Sequence, residues 1–298
     1  MIQFDVPEPD YDRYTNRQLV AVPLATLAIA LAIIGGFYLM TGAPAALGIE
    51  FTGGTELTVE TTDDREAIEE AFDREVVSIV AIEGQPNQYI LTFRPAPEGY
   101  EGPDLDDQAR ENLEPVDGDT EIVQGIVSLD PTFAEETQQL AVIAIVAAFL
   151  GMSVLAFVLF RTFVPSIAIV ASAFSDIMIP LAVMNLVGIE LTLGTVAALL
   201  MLIGYSVDSD ILLNNHILRR GGGGFYESTY RAMQTGVTMT VTSMVAMATM
   251  AIVATFFGIS LLASIGLILF VGLAADLMNT YLLNLSLLRW YKFHGVNR

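Results

Sequence analysis

Six long apolar stretches set the pattern of this chain. They lie near 18–40, 138–160, 164–187, 191–213, 236–257 and 260–285, and each approaches or exceeds the roughly 20 residues an α-helix needs to cross a bilayer. The first is longer than the apolar core of a signal peptide, and its flank PEPDYDRYTNRQ carries mixed charge, so it is read as a retained helix. Between the first and second stretches the pattern changes. GIEFTGGTELTVET is strand-like, DDREAIEEAFDRE helical, VVSIVAIEGQPNQYILTFRP a hairpin turning at Gly84–Asn87, DLDDQARENL helical, and TEIVQGIVSL a last strand. The order βαββαβ predicts a ferredoxin-like α+β domain over 41–137, both helices covering one face of a four-stranded sheet. The expected fold class is therefore an α-helical membrane protein of six transmembrane helices with this domain inserted between the first two. Segment 1–17 precedes the first span, 138–290 holds spans two to six, and 291–298 is a tail.

Charge orients this arrangement. Arg13 and Arg17 precede span 1, and Arg161 lies between spans 2 and 3. Arg219, Arg220 and Arg231 lie between spans 4 and 5, and Arg289, Lys292 and Arg298 follow span 6. All nine fall on one side, which the positive-inside rule makes cytoplasmic. Both termini are then expected in the cytoplasm of a multi-pass protein of the cytoplasmic membrane, with 41–137 extracellular. That segment holds 24 of the 34 acidic residues and four of the 13 basic ones, a net −20 of the chain's −21. Such a surface repels itself unless concentrated salt shortens the Debye length to about 3 Å, which fits a halophilic organism. A disordered acidic tail or a cation-binding surface would share the composition, but apolar strand-like stretches interrupt the acidic ones.

The same composition narrows the chemistry. With no cysteine, disulfides, thiol nucleophiles and iron–sulfur centres are excluded. His216 and His294 are the only histidines, each read as structural or interfacial, so no metal centre is expected. GGGG at 221–224 is a connector, since neither a preceding strand nor a Walker-type Lys accompanies it. No catalytic or cofactor-binding signature is present, and the chain is expected not to be an enzyme.

Intramembrane carboxylates cost a few kcal/mol on insertion scales, which makes them functional candidates by default. There are four: Asp176 in span 3, Asp208 and Asp210 in span 4, and Asp276 in span 6. Asp176 stands about 18 Å into its span, and Asp208 and Asp276 about 24 to 26 Å from the outer ends of theirs. Asp208 and Asp210, two residues apart, point away from each other, so only one can face a given partner; Gly204, Asp208 and Asn215 share a face. In span 6, Asp276, Asn279, Thr280 and Asn284 form a polar stripe that must face the bundle interior. Two readings stay open for these groups, an ion or proton pathway and plain interhelical hydrogen bonding. Pro165 opens span 3, and Pro180 removes a backbone donor within it.

Short motifs add a resemblance. GIEFTGG at 48–54, with Gly48, Glu50, Phe51, Gly53 and Gly54, is similar to the Gly-Gly signature of the SecD and SecF protein-export family. VPS at 164–166, FSDI at 174–177 and IGYSVDSD at 203–210, with Gly204, Tyr205 and Ser206, resemble the SecF side of that family. The resemblance covers nearly the whole chain. It implies half of a bundle of the resistance-nodulation-division type, paired with SecD beside the SecY channel and assisting an unfolded preprotein across the membrane. Three departures from bacterial members stand out: Ser175 replaces a His, Ser209 takes the place of the helix 4 aspartate between Asp208 and Asp210, and Thr238 is the nearest match to a helix 5 arginine. An archaeal member would fit these departures and the acidic, lysine-poor composition together. Proton, sodium ion or neither stays open as the coupling species. A small-molecule exporter half and an inert membrane scaffold are the alternative functions.

Overall fold

The computed structural model describes residues 11–82, 84–97, 99–100, 102–118, 121–218 and 224–295. The expected N-terminal segment before Tyr11, Arg219, Arg220, most of the GGGG connector, the His294 side chain and the end of the tail lie outside the described residues. The chain divides into two compact units.

The first unit comprises the residues up to Ala46, Ile143–Ala251 and the residues from Ser264 onward. Its helices are α1 (Asn16–Thr41) and the relevant parts of α5 (Pro131–Phe160), α6 (Phe163–Val187), α7 (Leu193–Leu218), α8 (Phe225–Phe256) and α9 (Ser260–Met278). A π-helical segment, Asn279–Asn284, continues α9 into α10 (Leu285–Trp290). Among the described residues six helices, counting α9 and its continuation as one, are long and apolar enough to cross a membrane. The first starts where Thr15 and Gln18 form a reciprocal capping box and stops at Gly42, whose positive φ admits the left-handed cap.

Helix α6 is the most enclosed of the six. Its Ile169, Ala173, Ile177 and Leu181 meet Leu199, Leu202, Ile203 and Val207 of α7, Met152 and Ala156 of α5, and Ile268 and Leu269 of α9 in one core. Small residues set the closest approaches. A Cβ on Gly266 would come within 2.9 Å of the Ala251 backbone, so α8 and α9 pass nearly backbone to backbone there. A second core joins the N-terminal turn, through Tyr11, to Leu213, Ile217, Phe225, Met233, Tyr281, Leu285 and Leu288. Arg289 fixes that turn by donating to the carbonyls of Tyr11 at 3.0 Å and Tyr14 at 3.1 Å.

The second unit comprises Leu47–Val142 and Ile252–Ala263. It holds α2 (Ile49–Thr52), β1 (Gly54–Glu60), α3 (Arg65–Glu70), β2 (Val76–Ala81), β3 (Gln88–Phe93), α4 (Leu105–Asn112), β4 (Val123–Leu129) and the start of α5. The sheet order is β2-β3-β1-β4 with every pair antiparallel, the split βαβ arrangement expected from the element order. Leu57, Val59, Ile79, Leu91 and Phe93 on one face of the sheet pack against Ile68, Ala71 and Phe72 at α3 and Leu105, Ala109 and Leu113 at α4. The strand expected over GIEFTGG begins only at Gly54. Residues 49–52 instead form one helical turn, because Gly48 caps its start and Gly53 its end. Helix α5 starts at Pro131, seven residues before the apolar run. Pro is pre-organised for a first helical position, and the Asp130 carboxylate accepts from the Thr132 N–H at 2.7 Å.

Candidate functional site

Three of the four intramembrane carboxylates meet in the interior of the helical unit. Helix α6 contributes Asp176 together with Ser172 and Ser175. Its neighbour α7 contributes Ser206, Ser209, Asp210 and Asn214. Helix α9 adds Asp276, and the π segment adds Asn279, Thr280 and Asn284. Apart from the half-buried Ser209, each of these side chains is buried.

The placement follows from local geometry. On α7 the buried face runs through Leu199, Leu202, Ser206, Asp210 and Asn214, a set at helical spacing. Asp208 and Gly204 fall on the other side and are exposed; thus Asp210, not Asp208, joins Asp176 and Asp276. In α6, Pro180 has no N–H to give the Asp176 carbonyl, so the backbone is loosened at the aspartate itself. Past Asp276 the helix widens. The Leu285 N–H bonds to the Thr280 carbonyl, five residues back, and a turn of this kind, frequent at functional sites, turns Asn279, Thr280 and Asn284 toward α6 and α7.

Hydrogen bonds tie the cluster across helices. Ser206 Oγ and Asn279 Nδ2 donate to the two oxygens of Asp176, each at 2.6 Å. Thr280 Oγ1 at 2.9 Å and Asn284 Nδ2 at 2.7 Å both donate to Asp210 Oδ1. Ser209 Oγ lies 2.8 Å and 3.1 Å from the oxygens of Asp276. Every donor is a neutral hydroxyl or amide, and among the described residues no basic side chain bonds these carboxylates. Several further oxygens buried in the cluster accept no hydrogen bond: Asp210 Oδ2, Asn279 Oδ1 and Asn284 Oδ1. Three ionised carboxylates in a dry interior would each carry an effective desolvation penalty of several kcal/mol, so the arrangement is chemically suited to take up positive charge. Among the described residues no group of three or more His, Cys, Asp or Glu side chains is placed to hold a metal ion.

The other motif residues have separate positions. Tyr205 donates to Thr240 Oγ1 at 3.2 Å and so links α7 to α8. Thr238 bonds within its own helix, to the Gln234 carbonyl, and His216 Nδ1 lies 2.9 Å from the Leu212 carbonyl in its own helix. In the sheet unit the two motif glycines answer to backbone. Gly53 has φ +69°, and a Cβ there would lie 2.9 Å from Pro131 Cα. Gly54 has φ +121°, and its Cβ would run into the Phe93 carbonyl oxygen. The pair thus lets β1 enter the sheet while touching both the end of β3 and the start of α5. Ile49 and Phe51, in the helical turn just before the pair, are buried. Burial, and secondarily the charge of Glu50, raise the pKa of Glu56 in β1.

Ser209 is named from the sequence only as the residue at the place of the helix 4 aspartate, and Ser172 and Asn214 are not among the candidates that the sequence offers. Their signal was spacing: Ser172 precedes Asp176 by four residues, and Ser206, Asp210 and Asn214 repeat at four.

Comparison with known proteins adds a second line of observation. The model of the SecD/SecF protein-export membrane protein C-terminal region matches residues 108–294, and that of the SecD/SecF GG motif matches 38–64. Protein-export membrane protein SecF of Haloferax volcanii is 59% identical over 300 residues, covering all of both chains. The SecF of Haloquadratum walsbyi is 60% identical over 301 residues. That of Pyrococcus furiosus is 38% identical over 92% of this chain and 90% of its own. The crystal structure of SecDF, a translocon-associated membrane protein from Thermus thermophilus, superposes with a TM-score of 0.73 at 20% identity. It matches 96% of this chain, which spans only 39% of that longer one.

Proposed function

The chain belongs to the SecD/SecF family of protein-export membrane proteins, and from that premise we propose that it is the SecF-type accessory subunit of the Sec preprotein translocase, working with SecD to assist polypeptides across the cytoplasmic membrane. The observation that carries this reading is identity of 59% along the full length of a SecF. Full-length relatives of that name favour export over a small-molecule exporter or an inert scaffold. Because the chain accounts for 39% of the SecDF chain, a second subunit of the SecD kind would supply the remainder. The arginines on one side of the spans orient both termini to the cytoplasm and the acidic sheet domain to the exterior, where emerging polypeptide and SecY meet it.

Asp176, Asp210 and Asp276 are the working groups of this reading. Uptake of a proton or monovalent cation by carboxylates shared among α6, α7 and α9 changes which helix contacts are favourable, and release reverses it. Affinity purification of the full chain from native membranes tests the assembly: SecD should accompany it, and a stable single chain would count against the proposal. Depletion of the chain should slow export of a secreted reporter. An unchanged export rate would remove the functional assignment.

A further inference from the structure

The sheet of the acidic domain ends in two edge strands, and they are treated differently. On β2 the edge is blunted: the Arg65 side chain donates to the Ile79 carbonyl at 3.1 Å, and the register slips between Val76 and Ser78. Edge strands are commonly protected in such ways against pairing with another chain. The opposite edge, β4, is open. Its residues Gln124 to Ser128 are exposed in an unbroken run, and VQGIVSL contains no charged residue and no proline. After one irregularity near Val123 it runs in regular register, Gly125 to Leu129, along β1. Ile126 shares the face of Leu57 yet is 45% exposed, and Val127 on the opposite face is 53% exposed. Alternate residues of such a strand turn their N–H and C=O groups away from the sheet.

We propose that the β4 edge, residues 124–129, is a binding site for an extended segment of the exported polypeptide, which adds to the sheet as a fifth strand. The inference rests on the export reading above. Only another extended backbone can pair a row of peptide groups, and pairing through the main chain recognises many sequences alike. The surroundings favour a chain in transit over a folded partner. In a domain of net charge −20 over 41–137, a neutral strand imposes no charge requirement on its guest. Two exposed apolar side chains in acidic surroundings also fall far short of the roughly 800 Å² per partner that stable folded interfaces bury.

The absence of cysteine makes the test direct. Val127→Cys, and Val80→Cys on β2 as the comparison, are introduced into the full chain in native membranes. Each is exposed to oxidant with an export reporter that carries one cysteine and is arrested in passage. The expected result is a disulfide between Val127→Cys and the reporter, absent with Val80→Cys and lost when Ile126→Lys and Ser128→Lys are added. Equal capture at both edges overturns the proposal, as does capture at Val127→Cys of a partner subunit regardless of whether polypeptide is in transit. Depleting the chain separates the two layers of the argument. If depletion slows export but Val127→Cys captures nothing, the edge site alone fails; if depletion leaves export untouched, the export reading fails as well.

Discussion

Replacing Gly54 by alanine places a methyl group where the structure has no room and no compatible backbone. At φ +121° a non-glycine residue carries about 1–3 kcal/mol of conformational strain. The added Cβ also runs into the Phe93 carbonyl oxygen, and Phe93 is the ladder partner of Thr55, the next residue. Relieving that clash means parting β1 from β3 at the end of the sheet, an overpacking cost of about 1–3 kcal/mol. Together these reach roughly 2–6 kcal/mol, against total domain stabilities of about 5–15 kcal/mol. For a domain near 100 residues each kcal/mol shifts the midpoint by about 4–8 °C, so a fall of about 10 °C or more is expected. The assay is thermal protease resistance of the sheet domain in membranes carrying the full chain. Gly99→Ala supplies the comparison, because Gly99 has φ +81° but nothing within 4 Å of an added Cβ. If Gly54→Ala lowers the midpoint no more than Gly99→Ala, the steric account of the glycine pair is refuted.

Two further outcomes follow from the charge of the same domain. Glu56 titrates above its ordinary value in the fold because it is half-buried and near Glu50, so its protonated form contributes stability at low pH that is lost as pH rises through the raised value. Glu56→Gln should therefore raise the protease-resistance midpoint at pH 7 and make little difference below the ordinary carboxylate pKa; an equal effect at both pH values would contradict this. The net −20 of residues 41–137 predicts that the domain loosens as KCl is lowered from molar to millimolar concentration, read by circular dichroism of the isolated segment. A spectrum insensitive to salt would argue against adaptation to concentrated brine.

The apolar positions of β1, β2 and β3 made most of the βαββαβ order legible, because these strands bury one face beneath α3 and α4, whereas β4 is exposed along most of its length. Less legible were the ends of elements. Ile49, Glu50 and Phe51 alternate like a strand, but one turn closed between Gly48 and Gly53 leaves no length for a ladder. Apolar runs likewise marked the spans without their polar extensions, so the starts of α5 at Pro131 and α8 at Phe225 lay outside them. Within the site, each aspartate stood out as a charge in an apolar helix, and the stripe from Asp276 to Asn284 was legible as an interior face. That Asp210 rather than Asp208 turns inward depends on which side of α7 meets α6 and α9, a matter of packing between helices remote in sequence. The π segment was beyond reach for a similar reason: nothing in NTYLLN by itself opposes an ordinary α-helix, and the wider turn goes with the bonds that Asn279 makes to Asp176 and that Thr280 and Asn284 make to Asp210.

The proposed contribution to export belongs to the inward-facing carboxylates, and not merely to acidic residues in the same helix. Export of a secreted reporter, measured in cells whose only copy bears either Asp210→Asn or Asp208→Asn, addresses it with two substitutions of identical chemistry two residues apart. Asp210→Asn is expected to lower export to the level of cells lacking the chain, while Asp208→Asn stays near the parent. Normal export with Asp210→Asn, or loss with Asp208→Asn alone, would contradict it.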